Sequence, residues 1–253
     1  DSFVEKSPQA NIFCDSRFLA ALPSRYSTWF VMDGETPRLA ALLAHNADGT
    51  TLTAPQPFTM YQGMLFSAGH YDLPLHSRIN NGLSAMTFLT EALTERFEHV
   101  SLCMHHAHDD LRALSWFHYG QPEAERFRIE LSYTGLIELG DCAWEDYIVG
   151  IRPNRQRDYR KAIQNGLRSE VSADIDTLER LYRLTIGRQQ VALSPTIFST
   201  LRTIAQAALE HKFGEILMCR NPSGEPVSAT LFLFDARCGY YLIGANHPDY
   251  RNT

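Results

Sequence analysis

Val227–Thr253, VSATLFLFDARCGYYLIGANHPDYRNT, is the stretch on which the reading of this chain turns. Two runs rich in β-branched and aromatic residues, Val227–Phe234 and Tyr240–Gly244, flank Asp235–Gly239, whose polar and glycine content predicts a hairpin loop. The second run opens into Asn246, His247, Pro248, Asp249, Tyr250 and Arg251. Pro248 has no N–H to give, so strand pairing ends there.

Upstream of the hairpin, Asn221–Glu225 reads as a turn and Glu215–Cys219 as a strand. Ser194 and Pro195 start a helix through Leu209, with Phe198, Leu201, Ile204, Ala205 and Ala208 on its inner face. A helix over Asp176–Thr185 precedes it, and the polar loop Gly187–Ala192 joins the two. Trp144–Ile151 reads as helical, and RQRDYRKAIQNG is a basic helix ended by Gly166. In the first half, residues 11–23 predict a short helix. Trp29–Met32, Leu39–Ala44 and Phe58–Phe66 predict antiparallel strands, and Ile79–Phe97 a long helix. Val100–Met104 reads as a strand, Asp109 or Asp110 as the cap of a helix over Leu111–Phe117, and the alternating Arg126–Leu131 as a further strand. Helices and largely antiparallel sheets in this order define an α+β protein.

The chain has 253 residues, 44% of them hydrophobic, which suffices for a substantial core in one large domain or two ordinary ones. A net charge of -6 and a pI near 5.9 argue against a protein that coats nucleic acid generally, so any polyanion site is local. Five cysteines without a C-x-x-C pair argue against a disulfide framework and for a reducing cytoplasm. No run reaches the ~18 apolar residues of a membrane span, and DSFVEKSPQA lacks the order of a signal peptide. The missing initiator Met and the abrupt end suggest processing, trimming or a boundary.

The ending, with His247, Pro248, Tyr250 and Arg251, resembles the GNAT superfamily of acyltransferases. There a central strand runs into such a segment, and a glycine-bearing loop then opens a helix whose N-terminal amides hold the pyrophosphate of an acyl carrier. Trp144–Tyr147, Arg152–Arg155, Arg160–Ala162, Asn165–Gly166 and Tyr240–Ala245 look like the Fem-type branch, which pairs two GNAT-like halves and includes the peptidoglycan-bridge aminoacyltransferases. The resemblance implies two GNAT-like modules, residues 1–134 and 135–253, the second incomplete at Thr253. It implies transfer of an acyl or aminoacyl group from a thioester or tRNA ester to an amine acceptor, a small molecule or a cell-wall precursor. The donor is then an acyl-CoA, an acyl carrier protein or an aminoacyl-tRNA, no metal is expected, and a homo-oligomer is allowed. His247 and Asn246 fall next to the expected reaction centre, Tyr241 is a candidate acid for the leaving group, and Arg251 a candidate carrier contact.

Residue chemistry adds two surfaces and a rival. Arg152, Arg155 and Arg157 lie at a helix N-terminus, where cations oppose the dipole at a cost of roughly 0.3–1 kcal/mol each. Arg157, Arg160, Lys161 and Gln164 share one face by their spacing of three and four, opposite Tyr159, Ala162 and Ile163. That face suits phosphates, which arginine forks grip in pairs. Arg188, Gln189 and Gln190, in the loop between the two helices, are candidates for the acceptor. The rival is a zinc-dependent hydrolase built on His106, His108 and Asp110, whose spacing matches the start of the metallo-β-lactamase signature, although Leu111 stands where that motif has a histidine. From another class comes a non-catalytic binding or scaffold module. Cysteine nucleophiles are unpersuasive, since Cys103, Cys219 and Cys238 fall in or beside strands and no histidine is placed beside Cys142.

Overall fold

A computed structural model describes residues 1–52, 56–140, 142–190 and 193–250. The chain divides into two units: Asp1–Glu130 with Ser199–Phe213 and Phe234–Cys238, and Leu131–Phe198 with Gly214–Leu233 and Gly239–Thr253.

The first unit begins with α1 (Ser2–Lys6), a 3-10 turn over Ile12–Cys14 and α2 (Ser16–Leu19). The single helix expected over 11–23 is thus two short pieces. Asp15 restarts the chain, because its carboxylate accepts the Arg17 amide at 2.8 Å. β1 (Arg25–Asp33) and β2 (Thr36–His45) form an antiparallel pair in register from Arg25↔His45 to Asp33↔Thr36. β3 (Met64–Phe66) adds to the far edge of β2. It is shorter than the strand expected from Phe58, because Phe58 sits at φ 66 beside a turn closed by the Thr59 amide on the Gln56 carbonyl. α3 (Leu75–Arg96) lays Met86, Leu89 and Leu93 on Leu39, Ala41 and Leu43, and Leu52, Met64, Phe66, Phe97 and Ala113 complete that core. Leu42 and Leu65 pack with Cys14, Phe3, Val4 and Tyr26 in a second, smaller cluster.

Val100–Met104 contributes one bridge and no strand: Cys103 and Gln62 exchange both backbone hydrogen bonds. α4 (Arg112–Ser115) follows Asp110, whose carboxylate accepts the Arg112 amide at 3.0 Å, whereas Asp109 pairs with Arg78. Arg126–Leu131, expected as a strand, belongs to no sheet among the described residues. Loop residue Arg237 donates to the carbonyls of Ser7 (2.9 Å) and Glu5 (3.2 Å).

The second unit holds α5 (Trp144–Gly150), α6 (Pro153–Gln164), β4 (Arg168–Ser172) and α7 (Ile175–Arg188). α8 (Pro195–Glu210) starts here and from Ser199 counts with the first unit. β5 (Gly214–Arg220), β6 (Pro226–Phe234) and β7 (Gly239–Asn246) complete an antiparallel sheet of order β4-β5-β6-β7. β4, RSEVS, has no apolar pattern to announce it. Pairing with β5 holds it, with a cross-strand bond from Arg220 Nε to Glu170 Oε1 at 2.6 Å. Ile216, Met218, Val227, Ala229, Leu231, Ile243 and Ala245 are buried, as are Leu178 and Leu181 of α7, which packs on β5 and β7. Tyr240 and Ile243 are both buried, so the strict alternation of β7 slips between them, as at a bulge. α6 fully buries none of its residues: on the side of Tyr159, Ala162 and Ile163, Ala162 is half-buried, Tyr159 meets Trp144, and Ile163 is 57% exposed.

α6 ends where Gly166 predicts. The Leu167 amide bonds the Ala162 carbonyl and the Gly166 amide that of Ile163, each at 3.0 Å, with Gly166 at φ 70. A Cβ there would meet Pro222 Cγ at 3.0 Å. At the end of α8 the Phe213 amide likewise reaches the Ala208 carbonyl (3.0 Å), but the left-handed residue is Lys212 at φ 55. Urea unfolding should therefore move in opposite directions for two substitutions: Gly166→Ala loses about 1–2 kcal/mol, and Lys212→Gly gains about 0.5 kcal/mol.

Candidate active site

β7 runs out at Asn246, where Thr185 of α7 catches it. The Asn246 amide donates to Thr185 Oγ1 at 2.8 Å, and the Thr185 hydroxyl proton is shared between the carbonyls of Leu181 (3.0 Å) and Asn246 (3.2 Å). The His247 amide then donates to the Val227 carbonyl of β6 at 2.8 Å. The His247 ring is fixed in turn, because Nδ1 accepts the Asp249 amide at 3.4 Å. That acceptor role puts the proton of the neutral ring on Nε2, so the half-buried imidazole has an N–H to offer there.

Tyr250 braces the same corner. Its hydroxyl donates to Glu225 Oε2 at 2.7 Å, and Asn221 Nδ2 donates to that carboxylate oxygen at 2.9 Å and to the Tyr250 hydroxyl at 3.3 Å. Asn221 Oδ1 accepts the amides of Ser223 and Glu225, which closes the turn before β6. Hydrogen bonds from Tyr250 and Asn221 hold the Glu225 carboxyl below its ordinary value. Sequence reading named the turn and the Tyr250 segment separately. Neither carries a signal that they meet.

Tyr241 is on the less buried face of β7. Its ring lies across Gly244, with the hydroxyl occupying the place a Cβ would take there, and it meets Phe232 edge-on at 5.7 Å between centroids. Gly244 is two residues from Asn246, so the Tyr241 hydroxyl is carried to within roughly 7 Å of that position along the strand. The structure therefore brings Asn246, His247 and the Tyr241 hydroxyl to one end of one strand. Arg251 lies outside the described residues.

On α6, Arg157, Arg160 and Lys161 are exposed. Arg155 pairs with Asp158 at 3.4 Å, and Arg160 donates to Gln156 Oε1 at 3.1 Å. Gln156 Nε2 also ties the helix to the carbonyls of Val149 and Ile151, and Trp144 meets Tyr159 edge-on. Within Pro153–Gln164 four cations face one carboxylate, in a chain that is acidic overall. The acceptor loop begins later than expected: Gly187 and Arg188 form the last turn of α7, because the amides of Gln189 and Gln190 still reach back to Ile186 and Gly187. Arg188, Gln189 and Gln190 are all exposed, and Gln190 has φ 56; Val191 and Ala192 lie outside the described residues.

The zinc constellation does not converge. His106 Nδ1 sits 3.1 Å from the Tyr61 hydroxyl, and His108 Nε2 donates to the Met64 carbonyl at 2.8 Å. Both carboxylate oxygens of Asp110 accept from the Arg112 guanidinium, at 2.6–3.1 Å. Each supposed ligand is turned to its own partner, and among the described residues no group of three or more His, Cys, Asp or Glu is placed to hold a metal. These histidines instead pack as rings: His105 on Tyr61 at 4.5 Å and on His106 at 4.1 Å. Burial, together with the neighbouring His106 and His108, pushes His105 from 6.5 down to about 4, and burial also lowers His70 and His108.

With this geometry in place, comparison with known proteins gives two findings. Residues 152–253 match the family model of the acetyltransferase (GNAT) domain, a span that takes in α6 and the whole sheet of the second unit. The crystal structure of FemX superposes with a TM-score of 0.57 at 12% identity, over 99% of this chain and 79% of that one. The first places a GNAT-like domain in the second part of the chain, and the second shows that the whole chain shares the FemX fold, here α+β with two antiparallel sheets. No curated protein matches the chain significantly. Among the described residues no helix is long and apolar enough to cross a membrane.

The buried histidines set a pH dependence. A histidine held neutral in the fold binds fewer protons than its unfolded counterpart between its two pKa values. Stability is therefore flat above about 6.5 and falls as the pH drops toward about 4. Thermal unfolding followed from pH 7.5 to 4.5 should show that decline, and His105→Asn, which keeps an acceptor for the Ala107 amide, should flatten it.

Proposed function

We propose that the chain is an acyltransferase that moves an acyl or aminoacyl group from a thioester or tRNA ester to an amine. The observation that carries this reading is the coincidence of the GNAT match with the ordered end of β7, where Thr185 fixes Asn246 and the Val227 carbonyl fixes His247. The donor supplies an activated carbonyl. The acceptor amine attacks that carbon and the carbonyl oxygen takes up negative charge; as the carbonyl re-forms, the C–S or C–O bond to the donor breaks, the nitrogen gives up its proton to water, and the thiolate or ribose oxygen takes one up. The Nε2–H of His247 and the side-chain amide of Asn246 suit donation to that oxygen, and the Tyr241 hydroxyl suits protonation of the leaving atom. Arg188, Gln189 and Gln190 would meet the acceptor.

The exposed cations of α6 fit a donor rich in phosphate. The twelve residues of Pro153–Gln164 extend about 18 Å, so their charges are spread over more than one phosphate spacing. This favours an aminoacyl-tRNA or another nucleotide-bearing donor over an uncharged one, and with it a cytoplasmic setting. Arg251 joins this set by resemblance.

Calorimetric titration of the natural full-length protein with coenzyme A and acetyl-CoA, at low and moderate salt, tests the first donor class. A transfer assay with aminoacyl-tRNA and small amines tests the second. One donor should bind or react, with affinity that falls with salt and falls about tenfold or more in the Arg157→Ala/Arg160→Ala variant. Tyr241→Phe should lower kcat with little change in KM. Absence of binding and transfer with both donor classes would overturn the reading in favour of a scaffold module.

A further inference from the structure

Residues 127–139 belong to no helix or strand, and Arg126 ahead of them has extended backbone, φ -115 and ψ 156. Between the Arg126 amide, bonded to the Glu123 carbonyl, and the Leu139 carbonyl, which receives the Cys142 amide, no residue makes a backbone hydrogen bond among the described residues. The sequence Arg126-Phe127-Arg128-Ile129-Glu130-Leu131-Ser132-Tyr133 alternates strictly between polar and apolar residues, the pattern of a strand with one covered side. Only Phe127 is partly covered, edge-on to Phe117 at 5.4 Å. Leu131 is 77% exposed and Tyr133 94% exposed. Unpaired donors and acceptors beside an exposed apolar row form a template for another strand.

The charges specify which strand. Arg128 and Glu130 form an ion pair within the chain and so share the polar side. If a second copy pairs antiparallel about Ile129, Arg128 falls opposite the partner's Glu130 and Glu130 opposite the partner's Arg128. Phe127 then faces Leu131 in both directions, and the two apolar rows fall on one side of the ribbon. Centring the pair on Arg128 or Glu130 sets like charges against each other. A parallel in-register pair does so at both positions. Of these, the register centred on Ile129 alone sets Arg128 and Glu130 each against its opposite charge, with Arg126 opposite the neutral Ser132, and it is isologous.

We propose that residues 126–133 form an antiparallel two-stranded pair between two copies of this chain, in the register centred on Ile129. The proposal is independent of the transferase reading. A two-stranded ribbon is marginal by itself, so the association is expected in roughly the micromolar range. Sedimentation of the full chain between about 1 and 100 µM should show a monomer–dimer equilibrium. Arg128→Glu and Glu130→Arg should each weaken self-association by roughly tenfold or more, with unchanged circular dichroism and melting temperature. An equimolar mixture of the two variants should associate again, because in this register each Glu then faces an Arg. A wild-type chain that stays monomeric over that range would overturn the proposal. So would single variants that dimerise like wild type, or a mixture that fails to recover.

Discussion

A strand at the edge of a sheet has backbone groups that must find partners elsewhere, and at the end of β7 the Thr185 hydroxyl fills that role. One oxygen accepts the Asn246 amide and sends its proton back toward the carbonyls of Asn246 and Leu181. A buried hydroxyl satisfied in both senses is directional in a way that apolar packing is not. It fixes α7 against β7 at the residue where the strand stops, and so fixes where the side chains of Asn246 and His247 begin. The Glu225–Asn221–Tyr250 network secures the other side of the corner from the turn before β6. Apolar burial beneath the sheet supplies stability, and these polar contacts supply position.

The legible parts of this fold were those whose chemistry is local. Alternation in Val227–Phe234, the Ser194–Pro195 helix start and Gly166 at the end of α6 each state their conformation within a few residues, and the structure follows them. The illegible parts depend on partners distant in sequence. β4 is five mostly polar residues and is a strand because β5 lies beside it. Val100–Met104 has the apolar content of a strand, yet finds one bridging neighbour in Gln62. The hairpin end was readable as a place of interest, but Thr185 was not, since a threonine in an amphipathic helix announces nothing about the strand it will cap. His106, His108 and Asp110 erred in the opposite direction. Their spacing is right for ligands, but side-chain torsions send each to a different acceptor or donor.

Charge is distributed unevenly. The chain as a whole is acidic, whereas α6 carries Arg155 in its first turn, where its own dipole disfavours a cation, and leaves Ile163 of its apolar side exposed. A helix stabilised mainly for itself would reverse that arrangement. Its C-terminal glycine turn, packed on Pro222 beside the β5–β6 turn, anchors one end of the helix and leaves its length open to solvent.

Arg237 has a consequence for the order of events during synthesis. Its guanidinium closes on the carbonyls of Glu5 and Ser7, and the unit that contains them also takes in Ser199–Phe213 and Phe234–Cys238. The segment around Glu5 and Ser7 therefore cannot complete its own unit until Arg237, 230 residues further along the chain than Ser7, has emerged from the ribosome. At bacterial elongation rates that is a wait on the order of ten seconds or more. Throughout that interval the unit that holds the β1–β2–β3 sheet lacks its final clasp, so chaperones and proteases encounter Asp1–Glu130 as an unfinished body and not as a domain that folds ahead of the rest.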